Sequence, residues 1–102
     1  MDATQFQQVA KALAEPRRWE ILEAIAACDE LSCREIVEQF PVSQATVSHH
    51  IKELVKVGLI ETRRVGQCCY YSFRSEVLAD YITQLQQLLA ANKALQKLPE
   101  LI

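Results

Sequence analysis

The chain has 102 residues, half of them hydrophobic, which suits one small domain, residues 1–102, with a core of its own. No phosphate-cradling glycine loop is present, and we expect no enzymatic activity. The sequence offers no secretory signal and no apolar stretch long enough to span a membrane, so we expect a cytoplasmic protein without a membrane partner.

Charge is unevenly distributed along the chain. The net charge is −2, yet residues 43–74 carry five Lys/Arg against two Asp/Glu. Residues 1–42 carry four against eight, and residues 75–102 carry two against three. A local concentration of positive charge indicates a nucleic-acid partner, whatever the total charge is.

The first part of the chain is predicted to form two helices. One covers residues 4–14, and Pro16 is placed to open the next. Apolar side chains recur at helical spacing in both segments, which predicts that Trp19 belongs to the core. These side chains are Phe6, Val9, Ala10, Leu13, Trp19, Leu22 and Ile25.

The middle of the chain is predicted to form two short helices joined by a tight turn. Ser32 is placed to cap the first helix, and Glu35 completes a capping box. Pro41 ends this helix because a proline disfavours helical geometry in the residue before it. Ser43 then caps a second helix, and Gly58 is well placed to end it. This is the helix-turn-helix pattern, whose second helix enters the DNA major groove.

The second of these helices has two distinct faces. At roughly 100° per residue, Val47, Ile51 and Leu54 form the stripe that must be buried. His50 lies at the flank of that stripe and is expected to pack. The other side and the first turn carry small or polar residues that can hydrogen-bond to base edges, and a lysine suited to phosphate. The residues predicted to contact DNA are Ser43, Gln44, Ala45, Thr46, Ser48, His49 and Lys52. An ordinary amphipathic helix with a solvated face is the alternative.

A β-hairpin is predicted directly after this helix. Residues 59–65 alternate like a strand, Gly66 and Gln67 supply a turn, and residues 68–73 return as a second strand. A hairpin in this position is the wing of a winged helix-turn-helix. Its tip is predicted to carry Arg63, Arg64 and Gln67 toward a minor groove or its phosphates, although a plain solvated hairpin would look similar.

The last helix is predicted to cover residues 77–95 and has a long apolar stripe. A single small domain has little interior left to cover that stripe, so a second chain is expected to pack against it. The stripe consists of Leu78, Tyr81, Ile82, Leu85, Leu88 and Leu89.

Four segments resemble the ArsR/SmtB family of bacterial repressors. Residues 13–22, LAEPRRWEIL, are similar to the family's opening signature, and residues 43–51, SQATVSHHI, to its recognition helix. Residues 58–60 and the wing at residues 63–71 follow in the same order. The resemblance implies a mainly α protein with a small β-hairpin wing, and a homodimeric repressor that an effector releases from double-stranded operator DNA.

In the resembled family the first and last helices form the dimer interface. The resemblance therefore implies that residues 4–14 and 77–95 pair with the partner's equivalents. The interface residues expected on this basis are Phe6, Val9, Leu78, Ile82, Leu85 and Leu89.

Four cysteines raise the question of an effector site. Cys28, Cys33, Cys68 and Cys69 are expected to be thiols in a cytosolic protein, and thiolates bind soft metals and trivalent arsenic. The family's arsenic and cadmium sensors often carry a Cys-x-Cys pair near the start of the first helix-turn-helix helix. Here serine and arginine occupy those positions, on either side of Cys33. The family's zinc and nickel sensors use Asp and His on the last helix; this chain has Asp80 there but no histidine after His50, so that site is also absent.

The cysteine pattern leaves three interpretations open: no sensing role, an As(III) or soft-metal site, or a redox switch. On a regular strand Cys68 and Cys69 face opposite sides, so a shared ligand needs a bulge or a bridge to Cys33. Cys28 and Cys33 flank a short loop and could react together. Two alternatives for the whole chain also remain, a repressor of this type without a metal site and a winged helix that binds only other proteins.

Overall fold

The computed structural model describes residues 1–92, which form five helices and one three-stranded sheet. The predicted fold class, mainly α with a small hairpin wing, is confirmed. The end of the last predicted helix, up to residue 95, lies outside the described residues. The elements are α1 (Ala3–Ala14), α2 (Pro16–Ala26), β1 (Leu31–Ser32), α3 (Cys33–Gln39), α4 (Gln44–Lys56), β2 (Ile60–Val65), β3 (Cys68–Phe73) and α5 (Ser75–Ala90).

Side-chain caps fix where the helices begin. Ser32 and Glu35 form the predicted capping box, in which the Ser32 hydroxyl accepts from the Glu35 amide at 3.1 Å. The Glu35 carboxylate accepts from the Ser32 amide at 2.9 Å. Asp2 caps α1 and Ser43 caps α4 in the same way. These bonds satisfy amides that have no partner within their helix.

Gly58 ends the recognition segment as predicted. Its φ is +81°, a left-handed conformation that glycine adopts without the steric cost of a side chain. A Cβ at this position would lie 3.1 Å from Cγ2 of Val77, so space is also restricted. The chain can therefore turn from α4 into the hairpin while α5 packs closely above it.

The sheet joins the wing to the start of the helix-turn-helix. Strands β2 and β3 form an antiparallel hairpin in which Val65 pairs with Cys68, so Gly66 and Gln67 are the turn. Strand β1 adds to the other edge of β3, with Leu31 opposite Tyr71. This two-residue strand was not predicted, because a segment so short has no alternation to detect.

The core lies between α2, α3, α4 and the inner side of the sheet. The fully buried side chains come from each of these elements, which holds the helix-turn-helix and the base of the wing together. They include Ile21, Ile25, Ile36, Val47, Leu54, Leu59 and Ile60.

Two predictions about packing were wrong. Trp19 is 42% exposed, because the buried side of α2 is centred on Ile21, Leu22 and Ile25 and Trp19 lies off that stripe. Val9 was assigned to the dimer interface, yet it is 1% exposed within its own chain. It therefore has no free surface to offer a partner.

Candidate nucleic-acid interface

Helix α4 has the two faces that its sequence predicts. Val47, Ile51 and Leu54 are buried, which anchors the helix in the core. Each residue that was predicted to contact DNA from this helix or its cap is exposed, and all but Ala45 are polar. They are Ser43, Gln44, Ala45, Thr46, Ser48, His49 and Lys52.

The first turn of α4 is held by its own hydroxyl groups. The Ser43 Oγ accepts from the Thr46 amide at 3.1 Å and lies 3.0 Å from the Thr46 Oγ1. The two hydroxyls therefore partner each other in the free protein. Gln44 and Ala45 belong to this turn, whose geometry is therefore already fixed.

His50 fixes the orientation of α4 from the buried side. It is 7% exposed, and its Nδ1 accepts a hydrogen bond from Arg18 Nε at 3.3 Å. Its Nε2 lies 3.5 Å from the Glu15 carboxylate. Burial lowers the pKa of His50, against the opposing influence of Glu15. The expected packing role of His50 is confirmed, and the histidine links α4 to the start of α2.

A groove of about 410 Å³ separates the second half of α4 from the wing. Lysines line the helix side, and the groove is open toward solvent. Such a cleft between a recognition helix and a hairpin has room for part of a nucleic-acid backbone. Its lining is Ser48, Ile51, Lys52, Val55, Lys56, Thr62 and Tyr71.

The two wing arginines differ in their surroundings. Arg63 donates from Nη2 and Nε to both carboxylate oxygens of Glu30, at 2.7 and 2.9 Å. Its guanidinium also lies 4.7 Å from the ring centroid of Tyr70. This pairing lowers the pKa of Glu30. Arg64 is the next residue and faces the opposite side of β2.

The tip of the wing therefore contains fewer residues than predicted. Val65 still pairs with Cys68, so the tip proper is Gly66 and Gln67. Arg63 lies further down the hairpin, held by Glu30, and does not present a free charge at the tip. Gln67 and Arg64 are both exposed.

Ion pairing changes the charge that this region presents. Arg74 pairs with Glu61 and Glu76 at 3.0 and 3.2 Å. Among the described residues, Lys52 and Lys56 of α4 and Arg64 of β2 form no ion pair. These three side chains supply the positive charge in this region that no carboxylate neutralises. Sequence counting does not reveal the Arg63–Glu30 and Arg74–Glu61 pairs, because their partners lie 33 and 13 residues apart along the chain.

The cysteines fall into two classes. Cys28 and Cys68 are exposed, whereas Cys33 and Cys69 are partly buried against the core. Burial and the neighbouring Cys69 raise the pKa of Cys33. Burial and both half-buried thiols raise the pKa of Tyr71 to about 12. Within residues 1–92 no group of three or more His, Cys, Asp or Glu side chains is arranged to hold a metal ion.

Helix α5 has an apolar face that its own chain does not cover. None of its residues is buried, although Leu78 packs partly on the core. Leu88 is 71% exposed and Leu89 56%, while Ile82 and Leu85 are each nearly half exposed. From α1, Phe6 stacks on Tyr81 with ring centroids 4.6 Å apart. Leu88 was absent from the expected interface residues, yet it is the most exposed of these leucines.

Comparisons with known proteins agree with this geometry. A family model for a helix-turn-helix domain matches residues 13–63. The arsenical resistance operon repressor of Staphylococcus xylosus is 39% identical over 84 residues, which cover 82% of this chain and 79% of that protein. This chain belongs to the ArsR/SmtB family of transcriptional repressors.

Other ArsR/SmtB relatives are similarly close. The transcriptional repressor SdpR of Bacillus subtilis is 36% identical over 77 residues, covering 76% of this chain and 84% of that protein. An ArsR-like transcriptional regulator from Rhodococcus sp. RHA1 superposes with a TM-score of 0.78 at 26% identity, covering 85% of this chain and 81% of that one.

Membership in this family makes the chain a DNA-binding transcriptional regulator and not an enzyme, as expected from the sequence. No helix within residues 1–92 is both long and apolar enough to cross a membrane.

Proposed function

We propose that this chain is a homodimeric repressor that inserts α4 into the major groove of an operator. The observation that carries the proposal is the exposed polar surface of α4, which is fixed from behind by buried Val47, Ile51 and Leu54. A rigid helix with short polar side chains at its N-terminal end has the shape that reads base edges in a major groove.

The roles of the α4 residues follow from their chemistry and position. Gln44, Ser48 and His49 can hydrogen-bond to base edges, and Ala45 permits close approach or contact with a thymine methyl. Ser43 and Thr46 sit at the helix N-terminus, where their hydroxyls and the free amides suit a phosphate. Lys52 and Lys56 extend this phosphate contact along the groove, with no sequence preference of their own.

The wing contributes position more than sequence reading. We assign Arg64 and Gln67 to the phosphates or the minor groove that flank the major-groove contact. Arg63 holds the hairpin in place through Glu30 and Tyr70. In this assignment it belongs to the hairpin's own structure and makes no phosphate contact.

Dimerisation is proposed through α5, with Phe6 of α1 at the edge. The exposed leucines of α5 would otherwise form a contiguous apolar surface, which soluble proteins rarely leave uncovered. Pairing two chains there would set the spacing between two copies of α4, as dimeric helix-turn-helix proteins require. The residues involved would be Phe6, Leu78, Ile82, Leu85, Leu88 and Leu89.

We further infer that an effector controls the release of the operator and that the chain works in the cytoplasm, where such regulators meet DNA. An As(III) species, a soft metal ion or an oxidant would act through the thiols. Cys33, Cys68 and Cys69 line one cavity between α3 and the wing. Gln44 and Gln67, two of the proposed DNA contacts, border the same cavity.

Alanine substitutions on α4 test the proposal. The operator is first selected from a random duplex pool with the purified protein. Ser48→Ala or His49→Ala is expected to weaken binding to the selected duplex by about 1 kcal/mol or more, with little effect on unrelated duplexes. Lys52→Ala is expected to weaken both by a similar factor.

Ser75→Ala and Lys11→Ala are matched controls, because both residues are exposed and lie on other helices. They are expected to bind like the unmodified protein. Equal losses for Ser48→Ala and Lys52→Ala on both kinds of duplex would contradict the base-reading role.

A further inference from the structure

Two of the four cysteines face each other across the sheet. In the β1–β3 pairing, Leu31 is opposite Tyr71 and Ser32 is opposite Tyr70. Continuing this register by one residue brings Cys33, the first residue of α3, opposite Cys69. The two side chains also line one cavity, and Cys69 is close enough to contribute to the raised pKa of Cys33, so the two thiols are neighbours.

The surroundings of this pair differ from those of the other thiols. Cys33 and Cys69 both pack against the core, whereas Cys28 and Cys68 are exposed. An open cavity of about 730 Å³ is lined by Cys33 and Cys69 and also by Cys68, so small molecules can reach all three thiols. Cys28 does not line this cavity.

The same cavity also reaches the proposed DNA contacts. Gln44, the first residue of α4, and Gln67, at the wing tip, belong to its lining. The thiol pair thus lies between the two parts of the molecule that must keep a fixed separation to bind DNA.

We propose that Cys33 and Cys69 are a redox pair that closes to a disulfide, tying the start of α3 to the wing strand and weakening DNA binding. The effect on DNA rests on the proposed repressor function, but the disulfide itself does not. Among the described residues, no third His, Cys, Asp or Glu side chain is arranged with these two half-buried thiols to hold a metal ion. Two neighbouring thiols without a metal site suit disulfide chemistry.

The oxidant is a low-molecular-weight disulfide such as oxidised glutathione. The Cys69 thiolate attacks one of its sulfurs, breaking that S–S bond and releasing one glutathione thiolate. Cys33, after losing its proton to solvent, then attacks the Cys69 sulfur of the mixed disulfide and expels the second glutathione. Two protein thiols become one disulfide, and one glutathione disulfide becomes two thiols.

The raised pKa of Cys33 gives the order of these steps. Burial and the neighbouring Cys69 raise the pKa of Cys33, which makes attack by Cys33 less favourable, and we assign the first attack to Cys69 at the cavity wall. Once Cys69 is part of a mixed disulfide it carries no charge, and one cause of the raised Cys33 pKa is removed. The pair is then free to close.

A disulfide would shorten the distance between α3 and β3 and fix it. Because Gln44 and Gln67 border the same cavity, their separation changes with it. A duplex could then align with α4 or with the wing, but not with both at the same time. We expect at least a tenfold loss of affinity for the selected operator.

The test equilibrates the reduced full-length chain in glutathione buffers of increasing oxidised fraction. Peptide mapping is expected to show a Cys33–Cys69 disulfide within one chain, formed in step with the loss of operator binding. Reduction with dithiothreitol restores both. Cys33→Ser and Cys69→Ser are expected to bind the operator normally and to ignore the buffer, whereas Cys28→Ser and Cys68→Ser respond like the unmodified protein.

Other results overturn the proposal. A disulfide that involves Cys28 or Cys68, one between two chains, or an intact disulfide with unchanged operator affinity would each contradict it. Oxidation sensitivity that survives in Cys33→Ser or Cys69→Ser would do the same. If the reduced protein binds no duplex at all, the repressor function fails, and peptide mapping still decides whether the pair forms.

Discussion

The two adjacent wing arginines have different roles because their surroundings differ: one stabilises the hairpin, and the other is free to bind DNA. Arg63 is held by Glu30 through two hydrogen bonds and lies over Tyr70. Arg64 faces the other way and forms no ion pair with any residue between 1 and 92. Free cations release counterions from DNA when they bind, whereas a paired cation contributes less.

Arg64→Ala is therefore expected to lower operator affinity at low salt and to reduce the slope of log K against log salt by about one. Arg63→Ala is expected to leave that slope nearly unchanged, since Glu30 already neutralises its charge. Anisotropy titrations at four salt concentrations measure both slopes. An equal reduction for the two variants would contradict the assignment of Arg63 to the hairpin's own structure.

His50 is the second residue whose environment leads to a measurable effect. It faces Glu15, Arg18 and Arg17 from the start of α2 and His49 from its own helix, and burial is the main reason for its lowered pKa. The unfolded chain, with a histidine pKa near 6.5, binds a proton more readily than the folded chain does. Stability is therefore complete above that pH and declines as the pH falls toward the folded pKa.

His50→Gln is expected to lose less stability than the unmodified protein between about pH 7 and pH 5. Urea unfolding at several pH values measures the difference. His49→Gln is the control, because His49 is exposed on the same helix. A pH profile that His50→Gln leaves unchanged would contradict the role of His50 burial.

At the scale of elements, helix α3 depends on its cap to an unusual degree. It has only seven residues, and isolated helices of that length are unstable in water. The reciprocal hydrogen bonds of Ser32 and Glu35 satisfy amides that would otherwise lack a partner. The cap also holds Cys33 and the end of β1 in place.

Ser32→Ala is expected to lower the free energy of unfolding by about 1 kcal/mol, through loss of the cap. Ser75→Ala is the matched control, since Ser75 is exposed at the start of α5 and provides no cap there. Urea unfolding compares the two. A Ser32→Ala protein as stable as the control would show that the capping box adds nothing in this context.

Most elements could be predicted because their signals are local. The caps at Ser32 and Ser43, the stop at Pro41 and the turn at Gly66 each depend on residues a few positions apart. Strand β1 could not be predicted, since only its pairing with β3 makes it a strand. The prediction for Trp19 was wrong because helical spacing identifies a broad apolar side of a helix. It does not show which edge of that side faces the core.

In the candidate site, too, only the features that depend on nearby residues could be predicted from the sequence. The exposed surface of α4 was predictable from periodicity within one helix. The partner of Arg63 was not, because Glu30 lies 33 residues away in the sequence. The approach of Cys33 to Cys69 depends on β1–β3 pairing for the same reason. Contacts between distant segments are decided by the fold and leave no local pattern.

At the scale of the whole molecule, the fold divides its surface into two parts with different chemistry. Lys52, Lys56 and Arg64 give the side with α4 and the wing its free positive charge. The side with α5 presents exposed leucine and isoleucine, and a chain this small gains stability by covering them. The two surfaces suit the proposal that the molecule binds its own copy through α5 and DNA through α4 and the wing.

In the proposed complex, two paired chains place two copies of α4 on one duplex. Sedimentation of the unmodified protein with the selected operator tests it directly, with Leu85→Glu as the variant that puts a charge into the exposed face of α5. We expect two chains per duplex for the unmodified protein, and for Leu85→Glu a folded monomer with at least tenfold weaker binding. A single unmodified chain bound per operator, or equal binding to heparin and to the selected duplex, would contradict it.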